Sequence, residues 1–297
     1  MERKIRELLK QRKAILLSHN YQPPVIQDIA DICGDSLELS IRAAQTDADV
    51  IVFCGVHFMA ETASILCPGK TVLLPRQNAG CPMADMITAE ALSARKAELP
   101  GVPVVTYVNS PASVKALSTI CCTSANAVKV ANSLNAPEIL MTPDRNLARF
   151  VESRTGITIH TWPGFCPIHD AIRREDAVYA RQKHPLAVLM AHPECRMEVL
   201  ALADEILSTS GMLRYAKTSR HSEFIVGTEI GLLYTLQKEN PDKRFYPISA
   251  GMECPDMKKI GLADIVRVLE TLEGEVRVPE DIRKPAYEAV KRMIDQA

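Results

Sequence analysis

The stretch AILLSHNY, residues 14–21, contains the pattern that decides the fold: a short apolar run is followed directly by polar side chains. Apolar runs of this kind, rich in Val and Ile, alternate with amphipathic segments along the rest of the chain. The further runs are VIVF (50–53), VPVV (102–105), EILM (138–141), AVLM (187–190) and FIVG (224–227). Continuous apolar runs are typical of strands buried on both faces of a parallel sheet, with helices covering those faces. The sequence therefore predicts an α/β fold with parallel sheets.

The polar triplet after the first run has counterparts 88 residues later and a further 85 residues later. The three triplets are His19-Asn20-Tyr21, Tyr107-Val108-Asn109 and His192-Pro193-Glu194. The same two spacings separate the hydroxyl residues Ser36, Ser124 and Thr209. Cys-Pro pairs begin at Cys81, Cys166 and Cys254, with spacings of 85 and 88 residues. A repeat of this length predicts three copies of one α/β unit.

The predicted fold is three three-layer (αβα) domains with parallel sheets, related by a pseudo-threefold axis around a central active site. We expect the domains to span residues 1–83, 84–168 and 169–297, the last one including the C-terminal helices. The C-terminal helix is expected to pack back onto the first domain. Parallel sheets bind ligands beyond the carboxyl ends of their strands. Since the triplets lie at such ends, they predict one shared site.

Composition excludes several classes of function. The chain has 297 residues, is 47% apolar, and carries 35 basic and 36 acidic residues, for a net charge of -1. This balance gives no electrostatic reason to expect a nucleic-acid or membrane partner. No apolar run is long enough for a signal sequence or a membrane span, so a cytoplasmic location is predicted. Nine cysteines in such a chain indicate reduced thiols, metal ligands or catalytic groups rather than disulfides.

The repeated cysteines Cys81, Cys166 and Cys254 are the predicted metal ligands. Three thiolates on a [4Fe–4S] cluster would leave one iron open to act as a Lewis acid. Zinc with three cysteines and a water is the competing interpretation, and the spacing alone does not exclude it. The other six cysteines are expected to be small buried apolar residues. They are Cys33, Cys54, Cys67, Cys121, Cys122 and Cys195.

Ten short motifs, in chain order, point to one family. They are SHNYQ (18–22), DIAD (28–31), GDSL (34–37), FMAE (58–61), CPMA (81–84), YVNS (107–110), TSANA (123–127), PDRNL (143–147), HPEC (192–195) and GTE (227–229). In this combination the chain resembles the quinolinate synthase family nearly from end to end. The resemblance implies three similar α/β domains and a [4Fe–4S] cluster on the three repeated cysteines. It also implies condensation of iminoaspartate (iminosuccinate) with dihydroxyacetone phosphate to quinolinate, a transferase reaction of de novo NAD biosynthesis.

That reaction needs several proton transfers and a site for anionic substrates. Tyr21 and Glu194 are the predicted acid–base pair, and His19 and His192 are further catalytic candidates that would bind carboxylate or phosphate. Hydroxyls at helix N-termini can also hold anions. The predicted substrate-binding residues are His19, Ser36, Tyr107, Asn109, Ser124, His192, Glu194 and Thr209. Lys258 and Arg145 are weaker candidates for phosphate binding, and His169 is a candidate for contact with a cysteine ligand.

Two other classes of function remain open from the residues alone. One is a metal-binding or redox-sensing protein without catalytic activity, and the other is a small-molecule transferase without a metal. The predicted partners are the two small substrates and, functionally, an enzyme that produces iminoaspartate. No nucleic-acid or membrane partner is expected.

Overall fold

The computed structural model describes residues 1–296. Its first four strands form one parallel sheet with the order β2-β1-β3-β4. These strands are β1 (Ala14–His19), β2 (Ile32–Gly34), β3 (Val50–Cys54) and β4 (Thr71–Leu73). The helices of this unit are α1 (Glu2–Gln11), α2 (Pro24–Ile29), α3 (Ser36–Gln45) and α4 (His57–Leu66). Every residue of the central strand β3 is buried, which accounts for its unbroken apolar sequence.

The second unit repeats this arrangement with a parallel sheet of order β6-β5-β7-β8. Its strands are β5 (Val104–Tyr107), β6 (Ile120–Cys122), β7 (Glu138–Thr142) and β8 (Thr158–Thr161). Its helices are α5 (Ala89–Glu98), α6 (Ala112–Lys115), α7 (Ala127–Ser133), α8 (Arg145–Arg154) and α9 (Pro167–Asp170). A 3₁₀ turn at Ala84–Met86 precedes α5.

The third unit has a parallel sheet of order β10-β9-β11-β12. Its strands are β9 (Val188–Ala191), β10 (Glu205–Ile206), β11 (Glu223–Gly227) and β12 (Arg244–Pro247). Its helices are α10 (Arg174–Lys183), α11 (Met197–Leu200), α12 (Thr209–Thr218) and α13 (Leu232–Glu239). A 3₁₀ turn at Asp256–Lys258 precedes the last two helices, α14 (Leu262–Thr271) and α15 (Glu280–Ile294).

All three sheets share one strand order, in which the first and third strands of each unit are central. Three parallel four-stranded sheets with flanking helices confirm the predicted three-layer α/β fold. The last strand of the first sheet ends at Leu73 and the first strand of the second begins at Val104. The predicted boundary at residue 83 falls in this connection, and the division into domains stays a prediction.

The terminal helices join the units. Helix α14 packs against α1, whereas α15 packs against α4 of the first unit and against α6 and β6 of the second. The C-terminal helix therefore contacts the second unit as well as the first. Among residues 1–296, no helix is long and apolar enough to cross a membrane.

Candidate active site

The carboxyl ends of the strands open onto one cavity. Strands β1 and β5 end at His19 and Tyr107, and His192 directly follows β9. All twelve residues predicted for the site line this cavity. They are His19, Tyr21, Ser36, Cys81, Tyr107, Asn109, Ser124, Cys166, His192, Glu194, Thr209 and Cys254. The fold thus brings together groups from three units, while the role of each residue remains a prediction.

The hydroxyl residues lie beside helix N-termini, but they are not the capping residues. Asp35 caps α3 and Ser208 caps α12, so Ser36 and Thr209 are the first residues of those helices. Thr209 Oγ1 accepts a hydrogen bond from the Asn20 side chain at 3.0 Å. Ser124 lies before α7, and its hydroxyl is 3.1 Å from His192 Nε2. These three residues line the cavity and do not cap their own helices.

A buried chain of hydrogen bonds joins residues of all three units. The Tyr21 hydroxyl lies 2.6 Å from Thr228 Oγ1, which lies 2.8 Å from His169 Nε2. On its other side, His169 Nδ1 lies 2.6 Å from Glu194 Oε2. The Tyr107 hydroxyl donates to Glu194 Oε1 at 2.6 Å. The predicted acid–base pair is therefore connected through Thr228 and His169, for which the sequence had given no catalytic role.

Burial and neighbouring charges set the protonation states in this chain. Burial raises the pKa of Tyr21 and of Tyr107 well above the usual value, and the charge of Glu194 raises both further. Burial opposes ionisation of Glu194 as well, but the charge and hydrogen bond of His169 outweigh it and lower the pKa of Glu194. At neutral pH the tyrosines are thus proton donors and Glu194 is a carboxylate. Burial also lowers the pKa of His192 to about 3, so its imidazole is neutral.

His19 is in a similar state. Burial and the positive charge of Lys258 lower the pKa of His19 to about 3. Its ring packs edge-on against Tyr21, with the ring centroids 4.6 Å apart. A neutral imidazole can hold a carboxylate or phosphate by donating one hydrogen bond, but it contributes no positive charge.

Each repeated Cys-Pro pair lies at or shortly before a helical turn. Cys166 is the N-cap of α9, and Pro167 occupies the first helical position, where its missing N–H costs nothing. Cys81 lies three residues before the turn at Ala84–Met86, and Cys254 lies two residues before the turn at Asp256–Lys258. The Cys-Pro repeat therefore places each cysteine at or shortly before a helical turn, and all three cysteines line the cavity.

The donor set fits a three-cysteine metal centre. Cys81, Cys166 and Cys254 form no disulfide, are partly exposed and line one cavity. Burial raises the pKa of the Cys81 thiol to about 12 and shifts the pKa values of the other two upward, so a metal must displace their protons on binding. Thiolate ligands suit iron–sulfur clusters and zinc.

A second donor group shares one of these cysteines. The ligand atoms of Cys166, His169 and Glu194 lie within 4.8 Å of one another. His169 Nδ1 is only 2.6 Å from Glu194 Oε2, which is a direct hydrogen bond, so the two atoms are already partners of each other. We therefore assign this group to the hydrogen-bond chain.

Five of the other six cysteines are buried, as predicted for small apolar residues, whereas Cys33 is only partly buried. The Cys33 thiol donates to Asn20 Oδ1 at 3.4 Å. None of the six lines the cavity.

Asn109 carries an unused acceptor. Its Oδ1 atom is buried and has no hydrogen-bond partner within residues 1–296. A buried acceptor without a partner costs free energy, and Asn109 lines the cavity. This atom is thus available to accept a hydrogen bond from a bound ligand.

The two weaker phosphate candidates are already paired. The Arg145 guanidinium contacts Asp170 at 3.1 Å and stacks over Phe165, and Arg145 does not line the cavity. Lys258 Nζ lies 2.7 Å from Glu229 Oε1 and donates to the Tyr21 carbonyl. Neither side chain offers a free positive charge to a substrate.

Comparisons with known proteins agree on one family. Residues 3–295 match the family model described as "Quinolinate synthetase A protein". The chain is 55% identical over 294 residues to a protein of Geotalea uraniireducens named quinolinate synthase, covering 99% of this chain and 97% of the relative. A quinolinate synthase of Geobacter metallireducens is 56% identical over 294 residues, with the same two shares. "Quinolinate synthase 1" of Methanosarcina acetivorans is 53% identical over 292 residues, which cover 98% of this chain and 96% of the relative.

Proposed function

The chain belongs to the quinolinate synthetase A family, and from this membership we propose that it condenses iminoaspartate with dihydroxyacetone phosphate. The products are quinolinate, phosphate and two water molecules, so atoms balance and no oxidant is needed. Quinolinate would then enter NAD biosynthesis. The observation that carries the proposal is one cavity lined by three unpaired cysteines together with Tyr21 and Glu194.

Cys81, Cys166 and Cys254 would hold a [4Fe–4S] cluster in this proposal. When bound, the cluster supplies a Lewis acid at the iron that has no cysteine ligand. Everything else in the reaction falls to the side chains around the cavity.

Glu194 and Tyr21 would carry out the proton transfers. Glu194 is the base because it is ionised, and Tyr21 is the acid because its hydroxyl keeps its proton at neutral pH. The hydrogen bonds through Thr228 and His169 give a path by which a proton taken by Glu194 can return to Tyr21 when His169 accepts it at Nδ1 and releases another proton from Nε2 to Thr228. The pair would thus be ready for several successive proton transfers.

The substrates would be held mainly by neutral donors. Ser36 and Thr209 lie in the first turns of α3 and α12, where backbone N–H groups and the helix dipole favour anions. His19, His192 and Ser124 add hydrogen-bond donors from the neighbouring units, and Tyr107 and Asn109 would orient the substrate. Without a free lysine or arginine in this set, anion binding depends on several hydrogen bonds acting together.

An anaerobic assay tests the proposal. The reconstituted full chain is incubated with both substrates, and quinolinate is measured by chromatography, with each substrate omitted in turn as a control. Quinolinate that forms only in the complete mixture supports the proposal. A loaded, coloured protein that forms none would favour the metal-binding or redox-sensing alternative, and formation by Cys81→Ala would favour a transferase without a metal.

Cellular context follows from the same chemistry. An imine substrate hydrolyses in water, so we propose a functional link with an enzyme that produces iminoaspartate. Nine unpaired cysteines suit a reducing compartment, and a cytoplasmic location is part of the proposal.

A further inference from the structure

The residue two positions after the third strand of each unit differs among the units. Strands β3, β7 and β11 end at Cys54, Thr142 and Gly227, so these positions are Val56, Asp144 and Glu229. They are separated by 88 and 85 residues, the spacings of the repeat. Two units therefore carry a carboxylate where the first unit carries an apolar side chain.

Both carboxylates hold the backbone of a predicted metal ligand. Asp144 Oδ2 accepts the Cys166 N–H at 3.1 Å, and Glu229 Oε1 accepts the Cys254 N–H at 3.0 Å. Each side chain is only 1% exposed, which makes these contacts costly to replace by water. A carboxyl oxygen that accepts a backbone N–H satisfies a donor that would be costly to leave unpaired.

The second oxygen of each carboxylate is also used. Asp144 Oδ1 accepts the Leu147 N–H at 2.6 Å, and Glu229 Oε2 accepts the Gly231 N–H at 2.7 Å. The contact with Leu147 is enough for Asp144 to cap α8, and Glu229 does not cap a helix at all, because the N-cap of α13 is Gly231. The bond to the cysteine amide is therefore an addition that ties the cysteine loop to the strand end.

A backbone contact common to all three units shows that the cysteine loops dock in the same way. In each unit, the residue directly after Val56, Asp144 or Glu229 donates its N–H to the carbonyl two positions before the cysteine, at 2.8 Å in every case. The pairs are His57 to Ala79, Arg145 to Gly164 and Ile230 to Met252. The side-chain contact is what distinguishes the units, because Val56 has no acceptor for the Cys81 amide.

We propose that Asp144 and Glu229 are positioning residues that fix Cys166 and Cys254 for metal binding. Their hydrogen bonds from the cysteine N–H groups are called the tethers below, and the loop that carries Cys81 has no such bond to Val56. A ligand already held in place loses less conformational freedom when the metal binds. Two ligands would then be prearranged, and the Cys81 loop would adjust last. The metal-binding role of the cysteines rests on the proposed function, but the tethers belong to the protein itself.

Hydrogen–deuterium exchange of the metal-free full chain tests the tethers. In Asp144→Ala we expect the Cys166 amide to exchange about tenfold faster, the effect of losing one hydrogen bond, with the Cys254 amide unchanged. Glu229→Ala should have the reverse selectivity. Asp144→Asn keeps one acceptor oxygen for two N–H donors, so it should protect the Cys166 amide or the Leu147 amide, but not both as Asp144 does.

Asp204→Ala is the matched control. Asp204 Oδ2 accepts the Leu189 N–H at 2.8 Å but contacts no cysteine loop, so this variant should leave both cysteine amides unchanged. In the unsubstituted chain, the Cys81 amide should exchange fastest of the three, a result that needs no variant to fold. Equal exchange of all three amides, or an equal rise at Cys166 and Cys254 in either variant, would overturn the proposal.

Metal loading gives a second measurement. After anaerobic addition of iron and sulfide, Asp144→Ala and Glu229→Ala should release iron to a chelator several-fold faster than Asp204→Ala, and unchanged release would contradict the positioning role. Failure of the proposed function is distinguishable: a chain that makes no quinolinate can still show selective exchange. Conversely, a chain that makes quinolinate without selective exchange loses only this inference.

Discussion

The central strands and the strand ends of the three units have diverged to different degrees. Strands β3, β7 and β11 keep the same place in their sheets and are largely buried in each unit. The polar triplets beyond the first strands share only their position, with sequences HNY, YVN and HPE. A strand core needs only apolar side chains of suitable volume. In the proposed function the cavity holds different chemical groups at its three sides, which accounts for residues that differ from unit to unit.

Substitution of a cavity cysteine should have the largest effect on turnover. Cys81→Ala should lower quinolinate formation by about a thousandfold or more, because Lewis-acid stabilisation worth several kcal/mol disappears with the metal. Iron content and steady-state rate measure the loss. Cys67→Ala is the control, since Cys67-Pro68 is a Cys-Pro pair outside the repeat whose thiol is buried against Ala43. If the two variants lost iron and activity to the same extent, the cavity cysteine Cys81 would not differ in role from the buried cysteine Cys67.

The acid–base pair should come next. Glu194→Gln keeps the size of the side chain but removes its charge, and we expect kcat to fall about 10²- to 10⁴-fold with the metal retained. Glu223→Gln offers a matched control, because Glu223 also accepts a hydrogen bond from a tyrosine, Tyr246, at 3.1 Å and lies away from the cavity. A Glu194→Gln enzyme with a nearly normal kcat would exclude this residue as the base.

Asn109 should affect binding more than turnover. Asn109→Ala removes an acceptor that has no protein partner, so the free energy of unfolding should stay the same or rise slightly. The KM of one substrate should increase about tenfold, since a hydrogen bond to the ligand is lost. Steady-state kinetics and thermal unfolding measure the two effects separately. An unchanged KM with a clear loss of stability would mean that Asn109 serves the fold rather than the substrate.

A change inside a strand should have the smallest effect on catalysis. Ile225 is fully buried in β11, and Ile225→Val should lower the free energy of unfolding by about 0.5–1.5 kcal/mol. The kcat of the folded enzyme should remain within about twofold, because the cavity is untouched. Denaturant unfolding and a rate per folded molecule test this pair of outcomes. A large drop in kcat would show that the strands transmit packing changes to the site.

The sequence predicted the parts of the molecule that repeat. The recurring triplets, hydroxyl residues and cysteines identified twelve residues that the fold brings around one cavity, because equal spacing in three similar units places equivalent positions around one centre. Thr228 and His169 received no catalytic role because their contacts cross between units and have no counterpart in the repeat. Such contacts depend on how the units are packed together, which a periodic pattern does not specify.

The charged candidates show the same limit. Arg145 and Lys258 were assigned to phosphate from their charge alone, yet their partners Asp170 and Glu229 lie 25 and 29 positions away in the sequence. Ion pairs of this separation form only after the loops have folded. Asp144 and Glu229, by contrast, could have been found from the repeat, since they share its spacing.

Metal analysis of the anaerobically purified full chain tests most directly whether Cys81, Cys166 and Cys254 hold one cluster. We expect a brown protein with about four iron and four acid-labile sulfide per chain, and loss of both in Cys81→Ala, Cys166→Ala and Cys254→Ala. A colourless protein that contains zinc and no sulfide, or full iron loading in all three variants, would contradict it.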